Sequence, residues 1–290
     1  MSVDVLQEKI RKIKNPIVLQ LDALMQTVPE HLKADKDACS AYYAFALSLL
    51  EGLREHVEAV RFGFASYAML APGGLQLLSE LMHKAKSMDY YVLMDLPELN
   101  SHLAAQSVAD SLDREECPFP CDGMILSAYA GSDIIRPFLE LCKNGKSLFP
   151  IVRTANKSAA EIQDLLTGAR LVHTAVADVI NRYAESVPAK CGYCNIGALA
   201  AASSADSLRN LRGKYKRLFL LLDGCDYPNS NAKNCSFAFD ALGHGAAVCA
   251  GMSVTGAWQD SDANADDYVR SAVSAVLQLK KNLNRYITVL

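Results

Sequence analysis

The chain is 290 residues long, 51% hydrophobic and 21% charged, with 29 basic and 32 acidic groups that leave a net charge of −3. That length and apolar content can bury one large core, and the charge balance gives no global attraction to nucleic acid or to an anionic membrane, so only a local basic pocket could hold a small phosphorylated ligand. The longest apolar run, Tyr42 to Leu50, is too short to span a bilayer, and the polar first residues lack an apolar signal core, so the expectation is a cytoplasmic protein with no membrane contact.

In chain order, an amphipathic helix is predicted near residues 3–14. Eight apolar, strand-like runs follow: Ile17 to Leu21, Val60 to Ala65, Tyr91 to Met94, Gly123 to Ala128, Leu148 to Val152, Tyr193 to Ala198, Leu218 to Leu222 and Ala246 to Ala250. Helical patterns lie between these runs and after the last. Regular alternation implies a parallel sheet with crossover helices, and eight units favour a closed barrel over an open sheet. No Gly-x-Gly-x-x-Gly follows the first strand, which leaves a nucleotide-binding open sheet with little support. The predicted fold class is α/β: a single (β/α)8 TIM barrel domain over residues 1–290 with an N-terminal helix.

In such a barrel the catalytic rim is formed by the loops at the C-terminal ends of the strands. Asp95 stands at such an end, after the third strand, and the stretch Asp95 to Asn100 carries little of the charge a catalytic cluster needs. Gly224 to Asn234, rich in Asn, Asp, Ser and Pro, reads as a long rim loop after the seventh strand. Arg114 to Asp122 precedes the fourth strand and falls on the opposite face.

The nine cysteines are odd in number and scattered, which argues against a disulfide framework. Cys117-Pro-Phe-Pro-Cys121 and Cys191-Gly-Tyr-Cys194 have the spacing of two halves of a zinc site. Residues 191–197 read as a strand, however, where positions three apart point to opposite faces, so the thiols are read as inert and no metal is expected.

Val152-Arg153-Thr154-Ala155-Asn156, followed by Gln163-Asp164-Leu165, resembles the "VRTSN…QDL" stretch of the orotidine 5'-phosphate decarboxylases of the longer bacterial subgroup. Gly131 to Phe138 is similar to that family's segment after the fourth strand, and Gly192 to Ala198 to its sixth. Leu19 to Asp22 resembles its first-strand "GLD", and Val60-Arg61 with Ala65-Ser66-Tyr67 its "VK…AFY". The resemblance runs in order from about Asn15 to the last strand.

The resemblance implies a cofactor-free and metal-free conversion of orotidine monophosphate to uridine monophosphate, in pyrimidine synthesis, by an alternating network of Asp and Lys. Carboxylate opposes the substrate's own carboxylate, ammonium groups stabilise developing negative charge, and one lysine protonates the carbanion. The family's third strand ends Asp-x-Lys-x-x-Asp, and the matching residues here are Asp95, Pro97 and Asn100. Proline has no acid to give, and the second Asp, which the family supplies across a dimer interface, is here an amide. Arg61 stands at the second-strand lysine; it keeps the charge but is a poor proton donor. The implied catalytic positions are therefore Asp22, Arg61, Asp95 and Asn100, with Pro97 at the missing lysine.

For substrate binding the resemblance implies Thr154, Ala155, Gly251, Met252 and Ser253. Met252 falls on the arginine that holds phosphate in "NSSRGI", Ala155 on a serine beside the pyrimidine, and Gly251 and Ser253 could offer backbone donors to an anion. Asp223 and Asp226 fall in the family's "PGxGxQ" and would repel a phosphate dianion. The implied partners are a nucleoside monophosphate or similar phosphorylated ligand and a second copy in a homodimer.

Plainer readings stand beside these. Arg61 pairs with Asp22 or Asp95, Arg153 anchors the rim loops, Asn100 caps the third helix, and His102 is a solvated first-turn residue. His83, His173 and His244 share no spacing with it. Three functions remain: a barrel that has lost decarboxylation and persists as a pseudoenzyme, an active decarboxylase in which Lys157 or Lys233 replaces the missing ammonium, or another reaction using Asp22, Asp95 and Asp223, for example with a metal.

Overall fold

A computed structural model of the chain describes residues 2–225, 231–259 and 265–289. Its strands are β1 (Ile17–Leu21), β2 (Ala59–Gly63), β3 (Tyr91–Asp95), β4 (Gly123–Ser127), β5 (Ser147–Ile151), β6 (Ala198–Ala201), β7 (Leu220–Asp223) and β8 (Ala246–Ala250). They pair in sequence order, all parallel, and β8 closes on β1. The principal helices are α1 (Ser2–Ile13), α2 (Ala38–Leu53), α3 (Ala71–Ser87), α4 (His102–Leu112), α5 (Leu139–Lys143), α6 (Val172–Ala184), α7 (Ala205–Lys214), α8 (Ala232–Ser236), α9 (Met252–Thr255) and α10 (Tyr268–Leu283). The fold is the expected TIM barrel with its N-terminal helix. Its strands read as nearly continuous apolar runs because they are buried on both faces, against the barrel interior and against the helices. No helix among the described residues is long and apolar enough to cross a membrane.

Helix α1 closes the end of the barrel opposite the rim. It buries Val3, Leu6 and Ile10, and the Ser2 hydroxyl lies 2.6 Å from the Tyr91 hydroxyl, itself 2.6 Å from that of Ser147. These polar groups satisfy one another at the bottom of the interior, where an unpaired hydroxyl would be costly.

The sixth strand differs from the expectation. It is Ala198–Ala201, not Tyr193 to Ala198: residues 191–193 turn, and from there to Gly197 the chain makes only isolated bridges, Cys194 with Pro188 and Ile196 in parallel with Leu148 of β5. Asn195 is fully buried; it accepts from the Val3 amide and donates to the Cys142 carbonyl at 2.8 Å. Tyr193 donates to Asp240 at 2.6 Å and lies so close over Gly245, at φ +79°, that a Cβ there would meet its ring at 2.2 Å. Strand alternation therefore does not separate Cys191 from Cys194, and that argument against zinc fails. None of the nine cysteines is in a disulfide, and among the described residues no group of three His, Cys, Asp or Glu side chains could hold a metal ion.

Smaller departures have local causes. β2 ends at Gly63, where the chain turns into a short helix, Phe64–Ala68. Arg114 to Asp122 is not confined to the barrel's lower face: Ser79 of α3 donates to the Pro118 carbonyl at 2.6 Å, and the Phe119 ring lies edge-on to Phe64, 6.2 Å away. An unexpected two-strand hairpin, Leu166–Thr167 with Arg170–Leu171, follows β5. Within the predicted rim loop Gly224 to Asn234, residues 226–230, including Asp226, lie outside the described residues.

Candidate functional site

Strand alternation and register bring one polar cluster to the barrel mouth. Gln20 on β1 pairs in register with Arg61 on β2, and Asp22, two residues beyond Gln20, points to the same side. Asp95 and Asp223 are the last residues of β3 and β7. Arg61, only 5% exposed, donates to Asp95 through two parallel bonds, Nε to Oδ1 and Nη2 to Oδ2, each 2.7 Å. Its Nη1 reaches Asp223 Oδ1 at 3.0 Å and Gln20 Oε1 at 3.2 Å. The fork geometry is one that arginine supplies and lysine cannot.

Burial by itself would lower the Arg61 pKa, but the Asp95 and Asp223 carboxylates outweigh it and hold the guanidinium charged, above its usual range. Asp22 takes a different path. It has no ion pair with Arg61; its Oδ2 accepts from Gln20 Nε2 at 2.7 Å. Burial pushes its carboxyl up, the Gln20 bond and the Arg61 charge offset only part of this, and the nearby Asp95 and Asp223 charges push the same way as burial. Gly63 makes room for it, since a Cβ there would stand 2.1 Å from Asp22 Oδ1. The expected pairing of Arg61 with an aspartate is therefore with Asp95, not Asp22.

Two adjoining cavities open on the cluster. The larger, about 460 Å³, is lined by Gln20, Asp22, Gly63, Asp95, Pro97 and Glu98 among others; the smaller, about 90 Å³, shares Gln20, Asp22 and Leu24 and adds Gly251, Met252 and Thr255. Size alone would admit a small ligand. Charge is the obstacle: Asp22, Asp95 and Glu98 line the larger cavity, the Arg61 guanidinium beside it is engaged by Asp95, Asp223 and Gln20, and among the described residues no lysine lines either cavity. Met252 brings only a thioether, which accepts from Gln26 at 3.6 Å.

The remaining expected site residues fall elsewhere. Asn100 is exposed, lines neither cavity and does not cap the helix; Ser101 does, its hydroxyl accepting from the Ala104 amide at 3.2 Å. The extended backbone of Ser101, φ −144°, sets its oxygen over the first helical turn. Thr154 spends its amide and hydroxyl on the Gln163 side chain, at 2.8 and 2.9 Å, and Arg153 grips Asp164 bidentately at 2.9 and 2.8 Å. That stretch thus fastens the β5 loop to itself, and Thr154 and Ala155 line neither cavity. Ser253 lies on α9, a four-residue helix opening at Gly251. Lys157 and Lys233 are exposed and line neither cavity; His102 is exposed, its Nδ1 3.2 Å from the Asp133 carbonyl. Sequence reasoning missed Gln20, although its place two residues before Asp22 on one strand marks it as a neighbour on the same face.

No family model matches the chain. Curated relatives named orotidine 5'-phosphate decarboxylase do: that of Caldicellulosiruptor saccharolyticus is 23% identical with 98% of each chain covered, and that of Rhodopirellula baltica 26% identical over 79% of each. Among solved structures, the Leishmania donovani OMP decarboxylase superposes with a TM-score of 0.75 at 20% identity, covering 98% of both chains. The orotidine 5'-monophosphate decarboxylase of Plasmodium berghei gives 0.74 at 13%, covering 98% of this chain and all of its own. In sequence over most of its length and in fold over nearly all of it, the chain is similar to these proteins and is an orotidine 5'-phosphate decarboxylase-like barrel.

Proposed function

We propose that this chain, one barrel domain over residues 1–290, is a decarboxylase-like pseudoenzyme: it does not convert orotidine monophosphate to uridine monophosphate at a useful rate, and it acts in the cytoplasm as a binding or structural partner. The carrying observation is the state of Arg61. Among the described residues that meet at the mouth it is the one cationic side chain, and it gives three hydrogen bonds to Asp95 and Asp223 and a fourth to Gln20. By the resemblance, the family's lysines stand where this chain has Arg61 and Pro97, and its phosphate arginine where it has Met252.

The chemistry fails at two points. A nascent pyrimidine carbanion needs an acid, and proline supplies none, while a guanidinium locked between two carboxylates holds its proton too firmly. A phosphate dianion meets the Asp22, Asp95, Asp223 and Glu98 carboxylates, and among the described residues lining the two cavities no cation stands to offset them. Losing proton donor and phosphate cation together removes many kcal/mol of transition-state stabilisation, in shares that do not add. Steady-state absorbance assays with pure protein and orotidine monophosphate are expected to show no consumption above the blank; turnover at about 1 per second or faster would refute the proposal.

The partner in this reading is a second copy of the chain, docked rim to rim. Support comes from exposed apolar side chains on the segments after β2, β3 and β5: Met69 at 85%, Leu103 at 80% and Leu166 at 75% exposure, with Ile162 and Leu165 beside the last. Large apolar groups of this exposure are what an interface covers. Sedimentation equilibrium should give a dimer that Leu103→Glu and Leu166→Glu together dissociate; a parent that stays monomeric at about 100 μM, far above the affinity of a stable dimer, would refute it.

A further inference from the structure

We infer that the outer wall of the barrel carries a second binding site, for a small amphiphilic anion with a single negative head and a short apolar tail. A cavity of about 570 Å³ lies between β1, β8, α8 and α10 and shares no lining residue with the two mouth cavities. Ile17 and Val248, in register on β1 and β8, face it from the sheet, and Leu279 and Leu283 face it from α10. These side chains form an apolar floor of the kind that receives a hydrocarbon tail, and the volume falls in the range of small-molecule sites.

The charge on its lining is the second observation. Lys233 on α8 and Arg285, just past α10, both line the cavity, and no acidic residue does among the described ones. Neither cation has an ion pair or side-chain hydrogen bond among the described residues, although the chain as a whole carries a net charge of −3. At the mouth of the barrel Arg61 is already paired with Asp95 and Asp223; here two exposed cations that lack an ion pair among the described residues line a cavity with an apolar floor. An anionic head between Lys233 and Arg285 gains charge-assisted hydrogen bonds, and the tail gains burial against Ile17, Val248, Leu279 and Leu283. The geometry selects against cations, and it selects against dicarboxylates, whose second charge, at the far end of the tail, would have to enter the apolar floor.

The test is calorimetric titration of the intact protein with octanoate as probe. Octanoate is expected to saturate one site that uridine monophosphate does not compete for, and octan-1-ol, equal in tail but uncharged, to bind about tenfold more weakly or worse. Lys233→Gln with Arg285→Gln, both on exposed residues and so without consequence for folding, should weaken octanoate about tenfold while leaving octan-1-ol unchanged. Leu279→Trp, which fills the floor from a half-buried position, should abolish both. No saturation up to about 10 mM octanoate, beyond the millimolar affinity of the weakest specific sites, would overturn the inference, as would equal affinity for octanoate and octan-1-ol or indifference to the double glutamine variant.

Discussion

Arg61→Met is the most informative perturbation of the mouth. It keeps the length and apolar stem of the side chain and removes the four donated bonds that tie Arg61 to Asp95, Asp223 and Gln20. Leaving the partners of a buried pair uncompensated costs about 3–5 kcal/mol; Asp95 and Asp223 remain 28% and 30% exposed, so water reaches both and the lower end, about 3 kcal/mol, applies. For a 290-residue chain, an unfolding entropy of about 2.1 cal/mol/K per residue turns this into a fall in Tm of about 5 °C. Calorimetric melts of parent and variant should therefore lie about 5 °C apart at pH 7. Adding Asp95→Asn and Asp223→Asn to Arg61→Met should restore most of the loss at pH 7. A variant that melts within about 1 °C of the parent at pH 7 would show that the cluster is not the buried, mutually dependent unit described.

Asp22 carries a raised pKa, so the folded protein holds its proton above the range where the unfolded chain releases it, and that contribution to stability is lost as pH rises through the folded-state value. Asp22→Asn should accordingly gain on the parent in denaturant melts as pH is raised from 4 to 8, and a constant difference across that range would contradict the assignment. Gly63→Ala drives a methyl group into Asp22 Oδ1 and should cost about 1–3 kcal/mol, a cost that Asp22→Ala removes; additive effects in the double-mutant cycle would deny the contact. Uridine monophosphate should bind the parent no better than about 1 mM by calorimetry, and Met252→Arg should improve it about tenfold by restoring a phosphate partner; micromolar binding by the parent would show that phosphate recognition lies elsewhere.

Much of the fold was legible because strand burial writes itself as apolar runs: β1 and β8 match their predicted bounds residue for residue. The start of the sixth strand was misplaced because Tyr193 to Gly197 is largely apolar, yet it makes only isolated bridges and is held by Asn195 and Tyr193 through contacts with residues distant in sequence. Composition does not distinguish an isolated bridge from a strand. The helix cap moved by one residue, from Asn100 to Ser101, because both types cap well and only the backbone angle decides. At the site, Asp22, Arg61 and Asp95 were found from strand ends and resemblance. Which carboxylate Arg61 grips depends on the inter-strand register, in which Arg61 stands beside Gln20 and Gly63 beside Asp95, and single-strand patterns do not carry that register. Thr154 and Ala155, which the resemblance implies for substrate binding, line neither mouth cavity, and Thr154 is bonded to Gln163 while the adjacent Arg153 is bonded to Asp164.

The most direct measurement is a single-turnover experiment with protein in large excess over orotidine monophosphate labelled at its carboxyl carbon, trapping released carbon dioxide. With Pro97 where the resemblance puts the family's lysine and Arg61 bound by Asp95 and Asp223, the account predicts release slower than about 0.01 per second, well below ordinary enzymatic rates. Release at about 1 per second or faster would contradict it, and would mean that an acid other than the family's lysine protonates the carbanion at this mouth.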